Sequence, residues 1–271
     1  MRLLVECEVD RAIRVPLNHL HHLTAVAYRY LKRGDADYAA FLHDDGYGAE
    51  EGHMRFKLFC FSGLQSRQRS LDRDSLWLGP GPICWYIGSP LEPFLRNFAT
   101  GLLSEGVIEV AGARLPVRQA TAIPTPDFAS GAALFSCLTP LVSRVAMPDG
   151  RDYFLRPSDA NAFQTAIRTN LLRKHRALTG NSFHSLEGAD ADFSLTFDQT
   201  YLSDPRHRGG TKLIHYKDID IVGALCPFKA TGSPTLLRLL YDCGGGEKNA
   251  SGFGMVEVRK HLAERGGEGQ D

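Results

Sequence analysis

The chain has no surplus of charge: 31 Lys and Arg are matched by 31 Asp and Glu, for a formal net charge of +0. Proteins that coat nucleic acid indiscriminately are strongly basic, so a polyanion bound here must meet a local basic surface. No run approaches the roughly 18 consecutive apolar residues of a membrane helix. The opening residues MRLLVECEVD carry charges at Arg2, Glu6, Glu8 and Asp10 and lack the basic-then-apolar order of a signal peptide. There is no CxxC pair. The six cysteines (Cys7, Cys60, Cys84, Cys137, Cys226, Cys243) are scattered, four of them inside apolar strand-like runs where cysteine serves as a small hydrophobe. Neither a disulfide framework nor a structural zinc site is expected. These absences predict a reduced, soluble, cytoplasmic protein with no membrane partner. What is present is ordinary globular composition, 43% hydrophobic and 23% charged over 271 residues, which excludes a disordered chain.

Periodicity divides the chain into two similar halves. Arg2–Asp10 alternates as a half-buried strand does. Pro16 precedes an amphipathic helix over Leu17–Lys32, and Asp35–His43 reads as a second, short helix. Gly46, Gly48 and Gly52 then form a loop before a strand over Met54–Ser62. Trp77–Ile87 is a strand interrupted at Gly79–Gly81, Pro90–Ser104 a helix and Val107–Val117 a closing strand. Ala122–Phe128, with Pro124 and Pro126, is the linker. The cycle repeats as Ala132–Ser143 (strand), Ser158–Thr179 (helix), Phe193–Tyr201 (strand), Lys212–Lys229 (one long strand or two), Ser233–Tyr241 (helix) and Met255–Val258 (strand). The order β-α-β-β-α-β occurs twice, predicting an α+β fold of two tandem ferredoxin-like (RRM-like) domains over 1–121 and 129–260. Residues 261–271, polar and glycine-rich, are expected to form a flexible tail.

The most informative stretch is Gly244-Gly245-Gly246-Glu247-Lys248-Asn249-Ala250-Ser251-Gly252-Phe253-Gly254, between a helix and a strand. Glycines let backbone amides approach a phosphate closely, and Lys248 adds a cation; a plain flexible turn has the same composition. The helix-before-strand order excludes a P-loop or a dinucleotide fingerprint. GGGEKNASGFGMVEV closely resembles the C-terminal glycine-rich signature of the CRISPR-associated repeat RNA endoribonucleases, in the repeat-associated mysterious protein superfamily. DRAIRVPLNHLHHLTAVAYRYL, AAFLHDDGY, FKLFCFSGL and CLTPLVS resemble further family segments in the same order, so the resemblance spans nearly the whole chain. It implies two tandem ferredoxin-like domains and metal-independent cleavage of precursor CRISPR RNA within each repeat, with no cofactor. It also implies 5′-hydroxyl and 2′,3′-cyclic phosphate ends, and admits a homodimer or a place in a CRISPR effector complex.

Cleavage of that kind uses the substrate's 2′-hydroxyl as nucleophile. One group takes its proton, another protonates the leaving 5′-oxygen, and a cation stabilises charge on phosphorus. Histidine suits the proton transfers and lysine the charge. Tyr28 of AVAYRYL, His43 of FLHDDG and Lys57 of FKLFCFS match a Tyr/His/Lys set found in family members. Tyr30 competes with Tyr28, and Arg55 with Lys57 on the same strand face. A histidine ending a helix is otherwise a cap or a surface residue.

The remaining polar clusters read as binding surface. His19, His21 and His22 lack the acidic partner and spacing of HExxH, and adjacent helical histidines point to different sides, so no metal site is expected. The adjacent Asp44 and Asp45 read as solvated carboxylates rather than magnesium ligands. For RNA, the expected contacts are Gly244, Gly245, Gly246, Lys248, Asn249, Gly252, Phe253 and Gly254 of the loop, with Arg168, Arg173, Lys174 and Arg176 on the second-half helix. Arg206 and Arg208 join them from a polar connection; a solvated basic face is the plainer alternative. A non-catalytic RNA-binding subunit would keep the loop but need no Tyr/His/Lys set. A small-molecule-binding protein would fit the neutral charge but not the loop.

Overall fold

The computed structural model describes residues 1–48, 55–180, 186, 188–217 and 219–259; the expected tail and Gly52 lie outside them. Two antiparallel sheets carry the architecture. In the first, the order is Val107–Val110, Ala113–Ile123, Arg2–Val9, Gly81–Gly88, Cys60–Phe61. Counting its four principal strands along the chain, the spatial order is fourth, first, third, second. The second sheet, Phe193–Phe197, Phe228–Gly232, Ala132–Cys137, Val256–Val258, has the same order read from its other edge. Alternation sets the faces: Leu3, Val5, Cys7 and Val9 are buried on Arg2–Val9.

Helices α1 (Leu20–Gly34), α2 (Ala36–Asp44) and α3 (Glu92–Glu105) belong to the first half. Helices α4 (Ala160–Thr179), α5 (Gln199–Ser203) and α6 (Pro234–Cys243) belong to the second. A Cβ on Gly101 of α3 would stand 1.9 Å from the Tyr30 carbonyl oxygen, so α1 and α3 touch backbone to backbone where only glycine fits. Beneath them Trp85, Phe59, Phe61, Phe94 and Phe98 form one aromatic core. The halves are pinned together by Arg2, 2% exposed, whose Nε donates to the Tyr241 carbonyl at 3.1 Å while its guanidinium lies 3.5 Å over the Tyr241 ring.

Several boundaries differ from the sequence reading, each for a local reason. Pro16 does not open α1; it ends a strand, Ile13–Pro16, paired with Ser75–Leu78, and the helix begins at Leu20. Gly79–Gly81 divides strands of two different sheets: Ser75–Leu78 pairs with Ile13–Pro16 and Arg69–Asp72, while Gly81–Gly88 joins the main sheet. Val107–Val117 folds as a hairpin because Ala111 and Gly112 both take positive φ. Its second strand runs on to Ile123, into the expected linker, and Phe128 beyond it is core. The Asp198 carboxylate accepts from the Tyr201 N–H and turns the end of the Phe193–Tyr201 segment into α5. Lys212–Lys229 comprises a hairpin, Thr211–Tyr216 with Ile219–Ala224, and the start of Phe228–Gly232.

Candidate active site and RNA-binding cleft

The first half brings Tyr28, His43 and Lys57 together. Tyr28 sits on α1 and His43 in the last turn of α2; their rings meet edge to face with centroids 5.4 Å apart. Phe59 supports the Tyr28 ring from another side at 6.0 Å. Lys57 follows the short strand Arg55–Phe56, and its Nζ donates to the His43 carbonyl at 2.5 Å. The competing tyrosine is committed elsewhere: Tyr30 is fully buried, and its hydroxyl donates to the Val107 carbonyl. His43 is exposed, and its Nδ1 lies 2.7 Å from Asp44 Oδ1. A proton on Nδ1, donated to Asp44, leaves the lone pair of Nε2 unshared. Asp44 is exposed, in keeping with the expected solvated carboxylate, and it sits beside His43. Burial pushes the Tyr28 phenol up to about 12, so it is a neutral O–H donor at ordinary pH. Burial also draws the Lys57 ammonium below its ordinary range, and the nearby Asp44 and Asp45 carboxylates only partly oppose this.

Lys57 is the junction between this trio and a cleft of about 760 Å³. It is lined by Arg55, Phe56 and Lys57, by residues of α4, and by Gly246–Ala250 of the glycine-rich loop. Among its described lining residues six are cationic (Arg55, Lys57, Arg144, Arg173, Lys174, Lys248), and Glu247 is the one carboxylate. Glu247 is already bound by Arg144, whose Nε donates to it at 2.9 Å. A chain of zero net charge therefore holds a concentrated positive field at one place.

The glycine-rich loop is a wedge between the halves. Phe253 is fully buried in the core of the first half, and a Cβ on Gly252 would meet Phe61 at 2.6 Å. Gly254 has φ +77°, and a Cβ there would stand 2.1 Å from the Gly245 carbonyl. Bulk at Gly252 or Gly254 therefore strikes the fold before it can reach a ligand. Glu247, Lys248, Ala250 and Ser251 are the loop residues that keep partial exposure, while Gly244, Gly245, Gly246 and Asn249 are buried.

Lys174 is placed differently from the surface contact expected of it. It is 2% exposed, and its Nζ donates to Asn249 Oδ1 (2.6 Å), the Gly244 carbonyl (2.7 Å) and the Gly246 carbonyl (3.3 Å). Asn249 passes the support on, its Nδ2 donating to the Gly245 and Phe253 carbonyls. Arg173 reaches the cleft, whereas Arg168 donates to the Ala191 carbonyl and is not part of the lining. Arg176 is exposed outside the lining, Arg206 forks onto Asp204, and Arg208 lies in a turn with positive φ. The sequence reading missed Phe56 and the polar side chains of α4 on the cleft wall, Asn161, Thr165, Thr169 and Asn170. Asn170 Oδ1 is buried with no hydrogen-bond partner, at a cost of about 1–3 kcal/mol.

His19, His21 and His22 do not form a unit. His19 is a core residue, with its Nδ1 donating to the Pro16 carbonyl and its Nε2 accepting from the Leu64 N–H. His21 and His22, expected to diverge, fold against one another with ring centroids 3.8 Å apart. Among the described residues no group of three or more His, Cys, Asp or Glu is placed to hold a metal, and no helix is long and apolar enough to cross a membrane.

A positive cleft is thus bordered by Tyr28, His43 and Lys57 on a mixed α/β fold built on two antiparallel sheets. Comparison with known proteins makes the assignment specific. Residues 14–121 match the family described as CRISPR-associated protein Cas6, N-terminal, and residues 123–258 match CRISPR associated protein Cas6, C-terminal. The chain belongs to the Cas6 family, and it is an endoribonuclease. It is 28% identical over 259 residues to the CRISPR-associated endoribonuclease Cas6 1 of Methanocaldococcus jannaschii, covering 94% of this chain and 92% of that one. To the CRISPR-associated endoribonuclease Cas6 of Pyrococcus furiosus it is 24% identical over 269 residues, covering 99% and 92%. A solved CRISPR associated protein Cas6 superposes with a TM-score of 0.71 at 27% identity, covering 96% of this chain and 99% of that one.

Proposed function

We propose that this enzyme cleaves precursor CRISPR RNA within its repeats, by attack of a substrate 2′-hydroxyl on the adjacent phosphorus. The new P–O2′ bond forms as the P–O5′ bond breaks, leaving a 2′,3′-cyclic phosphate on one fragment and a 5′-hydroxyl on the other. The observation that carries this reading is the convergence of Tyr28, His43 and Lys57 at the edge of the basic cleft. His43, oriented by Asp44, moves a proton through its Nε2; Lys57 places positive charge beside the phosphorane; Tyr28 donates a hydrogen bond as a neutral phenol. Lys248 and Arg173 hold flanking phosphates. The shared strand order of the two sheets supports two tandem ferredoxin-like domains, 1–121 and 129–260, with the cleft at their seam.

The test is end-labelled repeat RNA incubated with pure protein in EDTA, with and without a single 2′-deoxy nucleotide at the cut. Expected is metal-free cleavage to a cyclic phosphate end, blocked by the deoxy substitution while binding persists. Cutting of the deoxy substrate, or activity lost in EDTA and restored by magnesium, would overturn the mechanism.

A further inference from the structure

Tyr28 and His43 sit on different helices, so their approach depends on the angle between α1 and α2. A single residue joins the two. Asp35 follows Gly34, the last residue of α1, and precedes Ala36, the first of α2, with extended backbone (φ −163°, ψ 106°). It serves both helix ends at once. Its N–H donates to the Leu31 carbonyl at 2.8 Å and closes α1, while its Oδ1 accepts from the Tyr38 N–H at 2.9 Å and opens α2. Its other oxygen, Oδ2, accepts from Asn97 Nδ2 at 3.3 Å. Asn97 is buried on α3, the helix against which α1 is fixed: a Cβ on Gly34 would stand 2.0 Å from the Asn97 carbonyl oxygen.

The two helices are held very differently. α1 buries Leu20, Leu23, Val26, Ala27, Tyr30 and Leu31, whereas α2 buries only Ala39 and Leu42 over its nine residues. A helix that short is marginal by itself, so with so little packing its direction depends on what holds its ends. His43 lies eight residues past Asp35, about 12 Å along the axis, so a tilt of about 10° at the junction moves it by about 2 Å. A misplacement of about 1 Å can cost roughly 10²-fold in rate.

Building on the endoribonuclease reading, we propose that Asp35 is a positioning residue for the Tyr28–His43 pair. Its carboxylate, tied to α3 through Asn97, sets the direction in which α2 leaves α1. That direction places the His43 ring edge to face with Tyr28. Asp35 acts through α2, without contact to the RNA.

The experiment uses the full chain, with kcat measured on repeat RNA and Kd on its 2′-deoxy counterpart. Asp35→Ala removes both bonds of the carboxylate. It should lower kcat by about 10–100-fold while Kd stays within about threefold and the melting temperature falls by only about 2–5 °C. Asn97→Ala keeps the cap, loses the tie to α3, and should show a smaller loss of kcat in the same direction. Asp35→Asn should restore kcat to within about threefold of wild type, because its amide oxygen still caps α2 and its NH₂ pairs with a turned Asn97 amide. The deciding measurement is Asp35→Ala in a His43→Ala background. A residue acting through His43 should then change the residual rate by less than about threefold. Equal losses in both backgrounds would reduce Asp35 to general stability and overturn the proposal, as would a wild-type kcat in Asp35→Ala. If the wild type cuts no RNA, the endoribonuclease reading fails by itself, and the ring contact decides the rest. The nuclear Overhauser effect between Tyr28 and His43 should be present in the wild type and lost in Asp35→Ala at a temperature where both are folded; its persistence overturns the role of Asp35. Should Asp35→Ala fail to fold, Asn97→Ala, with the cap intact, carries the same readouts.

Discussion

Replacing Lys174 with methionine tests whether the glycine-rich loop is held from behind. Methionine nearly preserves the volume of the side chain and removes its ammonium, leaving Asn249 Oδ1 and the Gly244 and Gly246 carbonyls without their donor. Each buried acceptor left unsatisfied costs about 1–3 kcal/mol. The substitution also relieves the cost of burying the charge, which draws the Lys174 ammonium below its ordinary range. The Gly246 bond, at 3.3 Å, is the longest and contributes least. A net loss of roughly 2–4 kcal/mol follows, lowering the melting temperature by about 5–15 °C for a chain of this size. Scanning calorimetry measures this loss, and repeat RNA binding is titrated in parallel well below the transition. The folded variant should bind more weakly because Lys248 and Asn249 no longer have a fixed base. A melting temperature within 2 °C of wild type would refute the buried anchor. An unchanged affinity with a lowered melting temperature would confine Lys174 to stability.

The remaining expectations use the same assays. His43→Ala should lower kcat by about 10²–10⁴-fold, the usual worth of positioned proton transfer, with Kd within a few fold; the double change of His21 and His22 to alanine is the control, and loss of cutting there alone would relocate the catalytic histidine. If Lys57 acts in its charged form, burial that draws its ammonium down makes activity fall as pH rises through a value below the ordinary 10.5. Lys57→Arg should carry activity to higher pH, whereas Tyr28→Phe should lower kcat without moving that limb; an arginine variant with the wild-type limb would assign the titration elsewhere. Gly254→Ala, at positive φ and 2.1 Å from the Gly245 carbonyl, should cost about 2–5 kcal/mol in strain and overpacking, and a melting temperature equal to wild type would show that the loop yields. With three or four lining cations reaching phosphates, log Kd against log salt should have a slope of magnitude about 2–3 for single-stranded RNA; a slope near zero would remove the cleft as the binding surface.

What the sequence made legible was governed by period, and what it hid was governed by packing between distant segments. Tyr28 and Tyr30 are two residues apart on α1, and composition alone could not choose between them; the choice rests on Val107, 77 residues away, whose carbonyl takes the Tyr30 hydroxyl. Lys57 and Arg55 share parity in the sequence, but the strand ends at Phe56 and Leu58 adopts positive φ, so parity does not place Lys57. Lys174 was open to better reading. Phe163, Ile167, Leu171, Lys174 and Ala177 form the buried stripe of α4, and a lysine in register with that stripe faces the core whatever its neighbours Arg173 and His175 suggest. A cation on a buried stripe needs acceptors, and a run of glycines supplies bare carbonyls.

That pairing explains why the loop and α4 must be considered together. Glycines give the loop close approaches that no side chain permits, but they add no packing of their own and carry a high entropy of ordering. The Lys174 ammonium and the Asn249 amide replace the missing packing with directed bonds, drawing carbonyls inward on the buried side. On the opposite side Lys248 and Glu247 reach the cleft, Glu247 balanced by Arg144. The same helix that fixes the loop through Lys174 presents Thr169 and Asn170 to the cleft one turn earlier. A shift of α4 would therefore move the glycine-rich loop and the Thr169–Asn170 wall together, changing both relative to Lys57. That second distance is set where α4 packs against Arg55–Phe56.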